Sequence, residues 1–548
     1  MGGVENIGRY GAKDVITKKV GVLSVVGMFY AMCCSGAFGI EEMIPEAGPG
    51  LTIAMLVILP FVWALPYSFI CAELGSARPV EGGNLMWVRE ALGEFWFGIM
   101  VIVNFIWGLI SNTVYVVLAV QYLGTEIPLN EMQAYILKVA LIVIFFIINV
   151  LGIREVSFVS TAISAAVTLA FALVTIVGFA HYSQSPVTPF INPEYSDMPL
   201  MAVGGALGVG LWMYSGFDQI SLVAGEIKDA FRVIPKALMI VIPLMILTYV
   251  LPTMAGVASV GDWREWTTEA DGVGYHSVLS ASPALGVLFV IVAILSQCSI
   301  FNMCIATASR CSLILSDEHF GPGLLAKLSD KRGVPVISLT IVGAVTTALL
   351  GTPHNQLDFR FLVIFDAFFS VIVCALTVTS AVILKRRIPA HEVPFKTPGG
   401  LAGHNIMAAC CLFFCLAFAL LNGTDYFLAG LCIMLLIPVF YIVCKRIWKG
   451  QSVKEPERYP IDKRTKLGFG DVFKMGGYYL CFGLFAIVSG FFLAWYEADT
   501  GGDWYATEYG GGIFSDFYGM LHLITYIGAA AAIIGAILLI AGKRMGSK

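Results

Sequence analysis

Charge is scarce in this 548-residue chain: 13% of its residues are Asp, Glu, Lys or Arg, against 58% that are hydrophobic. Water-soluble domains carry about 25% charged residues, so there is too little charge here to coat a core of this size, and a lipid-facing surface is implied instead. The formal net charge of −4 offers no basic excess, which argues against general nucleic-acid affinity. The C-x-x-C spacing of zinc sites is missing, the seven histidines are scattered, and neither a His/Asp/Glu cluster nor a nucleophile beside a base stands out. No metal site and no catalytic residue is therefore expected. All 13 cysteines, among them Cys33, Cys34, Cys304, Cys410, Cys411 and Cys415, fall within or beside apolar runs, where they read as small packing residues. No cleavable signal is expected either: residues 1–19 are polar and mixed in charge, and the next apolar run is too long for a signal core.

What the chain does have is a series of long apolar runs. A bilayer core takes about 20 apolar residues per helix. Such runs lie near 20–46, 50–73, 94–123, 131–152, 156–181, 200–226, 236–259, 283–315, 334–351, 360–384, 404–422, 425–445, 474–496 and 517–541. The sequence thus predicts an all-α integral membrane protein with about 14 transmembrane helices. Lys and Arg gather in alternate connections (Lys18, Lys19, Arg78, Arg89, Arg154, Lys228, Arg232, Lys327, Lys385, Arg386, Lys445, Lys543), whereas the others hold Asp262, Glu265, Glu269, Glu497, Asp499 and Asp503. By the positive-inside rule both termini are expected in the cytoplasm. The expected organisation is a cytoplasmic segment 1–19, a core 20–384 whose halves span about 20–181 and 200–384, a helix pair 404–445, a cytoplasmic linker 446–473, and an extra two-helix hairpin with the C-terminus, 474–548.

Two runs carry glycine-bearing interruptions in mid-span. The first run contains Cys34, Ser35, Gly36, Ala37, Phe38 and Gly39, followed by Glu41 and Glu42. The sixth contains Tyr214, Ser215, Gly216, Phe217 and Asp218. Five helices separate the two, so each would open one half of an inverted repeat. Glycine permits an unwound conformation, and unpaired backbone at membrane depth survives only where it lines a cavity or is buried in protein. Freed N–H groups bind anions and freed carbonyls bind ammonium groups or small cations. Close helix packing is the competing reading of the same glycines. It is the preferred one for Gly204, Gly205, Gly208 and Gly210, which follow no strand.

At these residues the chain resembles the amino acid–polyamine–organocation superfamily of permeases. The resemblance extends to Ala72-Glu73-Leu74-Gly75-Ser76-Ala77-Arg78-Pro79 and onward to Gly93, to Ala224-Gly225-Glu226-Ile227-Lys228 with Ile234-Pro235-Lys236, and to Val393-Pro394-Phe395-Lys396-Thr397-Pro398-Gly399-Gly400. It covers roughly 20–445. It implies a LeuT-type fold of two five-helix inverted repeats (5+5) plus further helices, a midplane site between helices 1 and 6, and alternating access. Gly36 to Glu42, Phe217-Asp218-Gln219, Asn112 and Tyr115 are most similar to the polyamine-uptake branch, although that branch carries acids on helix 3 where Met100 and Ser111 stand here. The helix pair at 474–541 has no counterpart in the usual twelve.

Ionisable groups inside a membrane are costly and point to function. Glu41, Glu42, Asp218 and Asp366 are the candidates to share one cavity, where Glu41 or Asp218 would bind a substrate ammonium or a coupling proton. An outer gate or a solvated vestibule is the alternative for Glu41, Glu42 and Asp218, and a structural role for Asp366. Phe38, Trp107, Tyr115, Trp212, Tyr214 and Phe217 offer aromatic faces that attract ammonium. Glu73, Arg78 and Glu226 are candidates for an inner gate. Ser160 and Ser299 are candidates for a sodium site; some proton-coupled relatives in that superfamily place a lysine on helix 5 in the ion's stead, and helix 5 has none here. The expected activity is secondary transport of amino acids or polyamines, cationic amines preferred. A neutral amino acid permease and a transporter-like amine sensor are the alternatives. No cofactor is expected, and proton or sodium coupling and the oligomeric state stay open; the expected partners are a small amine or amino acid and the lipid bilayer.

Overall fold

The computed structural model describes residues 22–34, 36–78, 82–151, 156–216, 230–269, 272–280, 282–329, 333–352, 355–356, 359–462, 465–468, 470–499 and 501–546. Fourteen of its helices are labelled here: α1 (Val22–Cys33), α2 (Pro49–Ala77), α3 (Glu94–Gly124), α4 (Glu131–Leu151), α5 (Val156–Ala180), α6 (Pro199–Met213), α7 (Ala230–Ser259), α8 (Pro283–Asp317), α9 (Val336–Leu349), α10 (Phe359–Arg387), α11 (Gly400–Leu421), α12 (Thr424–Trp448), α13 (Asp471–Tyr496) and α14 (Phe517–Gly546). Eleven helices among the described residues are long and apolar enough to cross a membrane. α6 and α9 are shorter, with 15 and 14 residues; at 1.5 Å per residue each falls short of a hydrocarbon core about 30 Å thick. One small antiparallel ribbon interrupts the helices, β1 (Gly351–Thr352) with β2 (Asn355–Gln356), Gly351 facing Gln356.

Proline marks several helix starts, at Pro49, Pro199 and Pro283, where its missing N–H costs no helical bond. α2 widens into a π-helical turn at Pro60–Ala64, and α7 carries Pro235, Pro243 and Pro252 in its interior. α3 packs against α8 and α10, and α1 against α5 and α7. The long side chains exposed on α4, α13 and α14, such as Ile136, Val488, Phe491 and Ile533, form the kind of apolar surface a bilayer accepts.

The hairpin beyond the core is closed by glycines. Gly476 and Gly483 of α13 face Gly535 and Gly528 of α14 so closely that a Cβ on Gly483 would lie 2.4 Å from Ala532 N, and one on Gly535 2.3 Å from Leu480 N. Without side chains the two backbones reach a contact that no larger residue permits.

Two polar clusters fasten the hairpin to the core. At one end Lys445 of α12 sits between Glu94 of α3 and Asp471 of α13, with Nζ–O distances of 2.5 and 2.7 Å. The segment that joins α12 to α13 is packed there as well: Gln451 N–H donates to Glu94 (2.9 Å), Arg89 pairs with Glu455 (2.5 Å), and Lys454 pairs with Asp317 (2.5 Å) and Glu318 (3.1 Å).

At the opposite end Thr424 Oγ1 donates to Glu497 (2.5 Å) and Tyr509 to Asp425 (2.6 Å), while Tyr505 Oη lies 3.1 Å from Glu497 and 3.3 Å from Asp425. Burial is the main force on Glu497, just past the end of α13, and with Asp425 beside it the carboxyl is pushed up from 4.5 to about 7 despite the Thr424 and Tyr505 hydrogen bonds. The folded state therefore holds this proton more tightly than the unfolded chain. The associated stability is complete below about pH 4.5 and is lost as pH rises towards 7. Glu497→Gln should remove this pH slope and leave the variant more stable than the parent at pH 8 by on the order of 2 kcal/mol. Hydrogen exchange of residues 497–510 at pH 5 and pH 8 checks this, and an equal slope in both proteins refutes it.

Candidate functional site

A cavity of about 100 Å³ opens where α1 and α6 both stop. One water takes about 10–15 Å³ of such space, so a small organic solute has room. α1 ends at Cys33; Gly36 and Gly39 follow at φ +101° and +93°, and the chain resumes as a tight turn, Ile40–Glu42, and a short helix, Met43–Ala47. Such φ values favour glycine, and a Cβ on Gly36 would lie 2.4 Å from the Phe171 ring. α6 ends at Met213, with Gly216 at φ +94° just beyond.

Cys33, Cys34, Gly36 and Phe38 line one wall, and Trp212, Met213, Ser215 and Gly216 the wall beside it. α3 adds Asn104, Trp107, Ser111 and Tyr115, α8 adds Gln297, Met303, Cys304 and Thr307, α7 adds Tyr249, and α10 adds Asp366. Asp366 is buried and accepts a hydrogen bond from Ser111 Oγ, and Trp107 and Trp212 line the same cavity. Tyr115 stacks on Trp212 with ring centroids 6.0 Å apart. Phe38 is held edge-on by Tyr122 and Phe171 at 5.1 and 4.8 Å. Gln297 is buried and its Oε1 meets no hydrogen-bond partner. Asp366, Gln297 and the aromatic faces together provide what an ammonium needs: a charge, a spare acceptor and polarisable walls.

The sequence candidates divide accordingly. Gly36, Phe38, Tyr115, Trp212, Ser215, Gly216 and Asp366 meet at the cavity. Glu41 and Glu42 were expected to share it, but they are absent from its lining and stand in the turn Ile40–Glu42 beyond Gly39 instead. Glu41 accepts from Tyr122 (2.6 Å) and from Gly39 N–H (2.9 Å). Glu42 accepts from both hydroxyls of Thr267 and Thr268 (2.8 and 2.7 Å), and Glu46 pairs with Arg360 (2.5 Å). Each of these acids thus has a carboxylate oxygen engaged by a different element: α3, the connection after α7, and α10. Ala37, Gly39 and Tyr214 are buried beside the cavity without lining it, and Tyr214 Oη donates to Leu56 O (2.7 Å). Asn112 is buried away from the lining, with both amide atoms unpartnered. Ser299 is half-buried on α8 and also lies off the cavity. Glu73 binds Lys385, His404 (2.8 Å) and Thr397 (3.0 Å), and Arg78 pairs with Glu90 (3.3 Å) and Glu392 (3.2 Å). Ser35, Phe217, Asp218 and Glu226 lie outside the described residues, as does the side chain of Ser160. Sequence reasoning missed Gln297 and Asn104, although an amide inside an apolar run was the signal that marks them; Tyr249 carried no signal among so many aromatics.

Residues 20–443 match the amino acid permease family. The chain belongs to that family. A protein of Arabidopsis thaliana named "Probable polyamine transporter" is 27% identical over 404 residues, covering 71% of this chain and 77% of its own length. A polyamine transporter of Oryza sativa subsp. japonica is 25% identical over 398 residues, 70% of this chain and 71% of its own. The human large neutral amino acids transporter small subunit 2 is 24% identical over 406 residues, 71% and 74%. This permease is thus a multi-pass membrane transporter of the polyamine and amino acid branch of the amino acid–polyamine–organocation superfamily, and not an enzyme. The family match ends before α13 and α14.

Proposed function

We propose that this permease is a secondary active transporter of amino acids or polyamines in the plasma membrane, with cationic amines preferred. The observation that carries the reading is the buried Asp366 carboxylate inside an aromatic-walled cavity at the two helix ends. Its architecture in this reading is two five-helix inverted repeats, α1–α5 and α6–α10, then α11 and α12, with the linker and both termini cytoplasmic and the α13–α14 hairpin outside the repeats. Alternating access proceeds around the discontinuities of α1 and α6. Asp366, Ser111, Gln297 and the faces of Trp107, Tyr115 and Trp212 hold the ammonium; Ser35, Phe217 and Asp218 complete the site; Glu73, Arg78 and Glu226 serve the inner gate.

A neutral amino acid substrate is favoured by a different observation: Glu41 and Glu42 are engaged elsewhere, which leaves Asp366 as the carboxylate lining the cavity among the described residues. Purified protein in liposomes separates the readings. Labelled putrescine or arginine should enter saturably, with competition from either amine and none from leucine, and imposed sodium and pH gradients identify the coupling ion. Competition by leucine and none by arginine selects the neutral reading. Binding of amine without flux selects a sensor.

A further inference from the structure

Three backbone carbonyls from the two helix ends meet at one hydroxyl. Tyr249 Oη lies 3.2 Å from Cys33 O and 3.3 Å from Cys34 O at the end of α1, and 3.1 Å from Met213 O at the end of α6. Carbonyls in the last turn of a helix lack an intrahelical donor and carry the negative end of the helix dipole. Their juxtaposition is repulsive unless a donor stands between them. Tyr249 supplies that donor from a third element, α7, and its ring is fully buried and packs edge-on against Tyr214 with centroids 5.2 Å apart. Tyr214 is in turn tied to Leu56 O of α2. The hydroxyl carries one hydrogen, so the three carbonyls share a single donor.

We infer that Tyr249 is a positioning residue: its hydroxyl bridges the ends of the two discontinuous helices and sets the width of the cavity between them. In alternating access the α1 and α6 ends change their separation, and this bridge is the contact that must be shared anew at each stage. A solute then meets walls already held at binding distance, which lowers the ordering cost of binding.

Tyr249→Phe removes the oxygen and keeps the ring against Tyr214. Two measurements test it. The first needs no transport: maleimide labelling of purified protein, read by mass spectrometry at Cys33 and Cys304, which line the cavity from α1 and α8. Cys33 should label several-fold faster in the variant while Cys304 keeps its rate. The second rests on the transport reading: KM for the transported amine should rise about tenfold while the maximal rate changes less than threefold. Tyr249→Leu, which also removes the ring, should reproduce the labelling change if it folds. Equal Cys33 rates in parent and Tyr249→Phe overturn the bridge. If labelling responds but the parent carries no amine or amino acid, the transport reading fails and the bridge stands.

Discussion

Replacing Asp366 with Asn should lower uptake of a cationic amine by at least about 30-fold in kcat/KM. Asparagine has the same shape and keeps an oxygen for the Ser111 hydroxyl, so the packing of α10 against α3 is preserved and the charge alone is lost. Truncating one partner of a buried, hydrogen-bonded charge pair costs about 2–5 kcal/mol, and every 1.4 kcal/mol is about tenfold. Unchanged thermal unfolding of the purified variant would show that the fold is intact. The form of the loss also discriminates between roles. If the carboxylate binds the substrate, both net uptake and exchange of labelled for unlabelled amine disappear. If it carries a coupling proton, exchange persists while accumulation against a gradient stops. Uptake within threefold of the parent would remove Asp366 from either role and return the ammonium to Asp218 or to a neutral-substrate site.

The helices were legible in the sequence because apolar length is a direct physical requirement of the bilayer. The runs near 94–123, 283–315 and 517–541 correspond to α3, α8 and α14, which end within a few residues of the expected limits. The break in the first run was legible for a related reason: Gly36 and Gly39 do adopt positive φ, and glycine is the residue that does so without strain. Partner choice was not legible. Glu41, Glu42 and Glu46 lie within six residues of one another, yet their carboxylates reach α3, the connection after α7, and α10 respectively. Those partners are 81 to 314 positions away in the chain. Side-chain direction after a helix break depends on the φ values of Gly36 and Gly39, and no periodicity encodes these. Asp366, by contrast, sits in an unbroken helix, and its place in the cavity follows from the packing of α10 on α3.

The same separation in sequence hides the contact with the largest structural stake. Lys445→Met should destabilise the protein by about 3–5 kcal/mol, the usual cost of removing one partner from a buried ion pair. Lys445 is fully buried, and Glu94 and Asp471 are within 7% of full burial. Methionine fills a similar volume but leaves two neighbouring carboxylates without their cation, and one of them must then take up a proton or draw in water. Glu94 also accepts from Gln451 N–H, so the damage should spread into the segment that joins α12 to α13. Two signs are expected in detergent: a lower melting temperature and proteolytic cleavage within residues 449–470 where the parent resists. Adding Glu94→Gln and Asp471→Asn to Lys445→Met removes the stranded charges and should recover most of the loss, since a well-packed uncharged cluster is often as stable as the ionic one it replaces. If the single variant melts with the parent and its connecting segment stays protected, the cluster is solvated and the hairpin is held by α13–α14 and α12 packing alone.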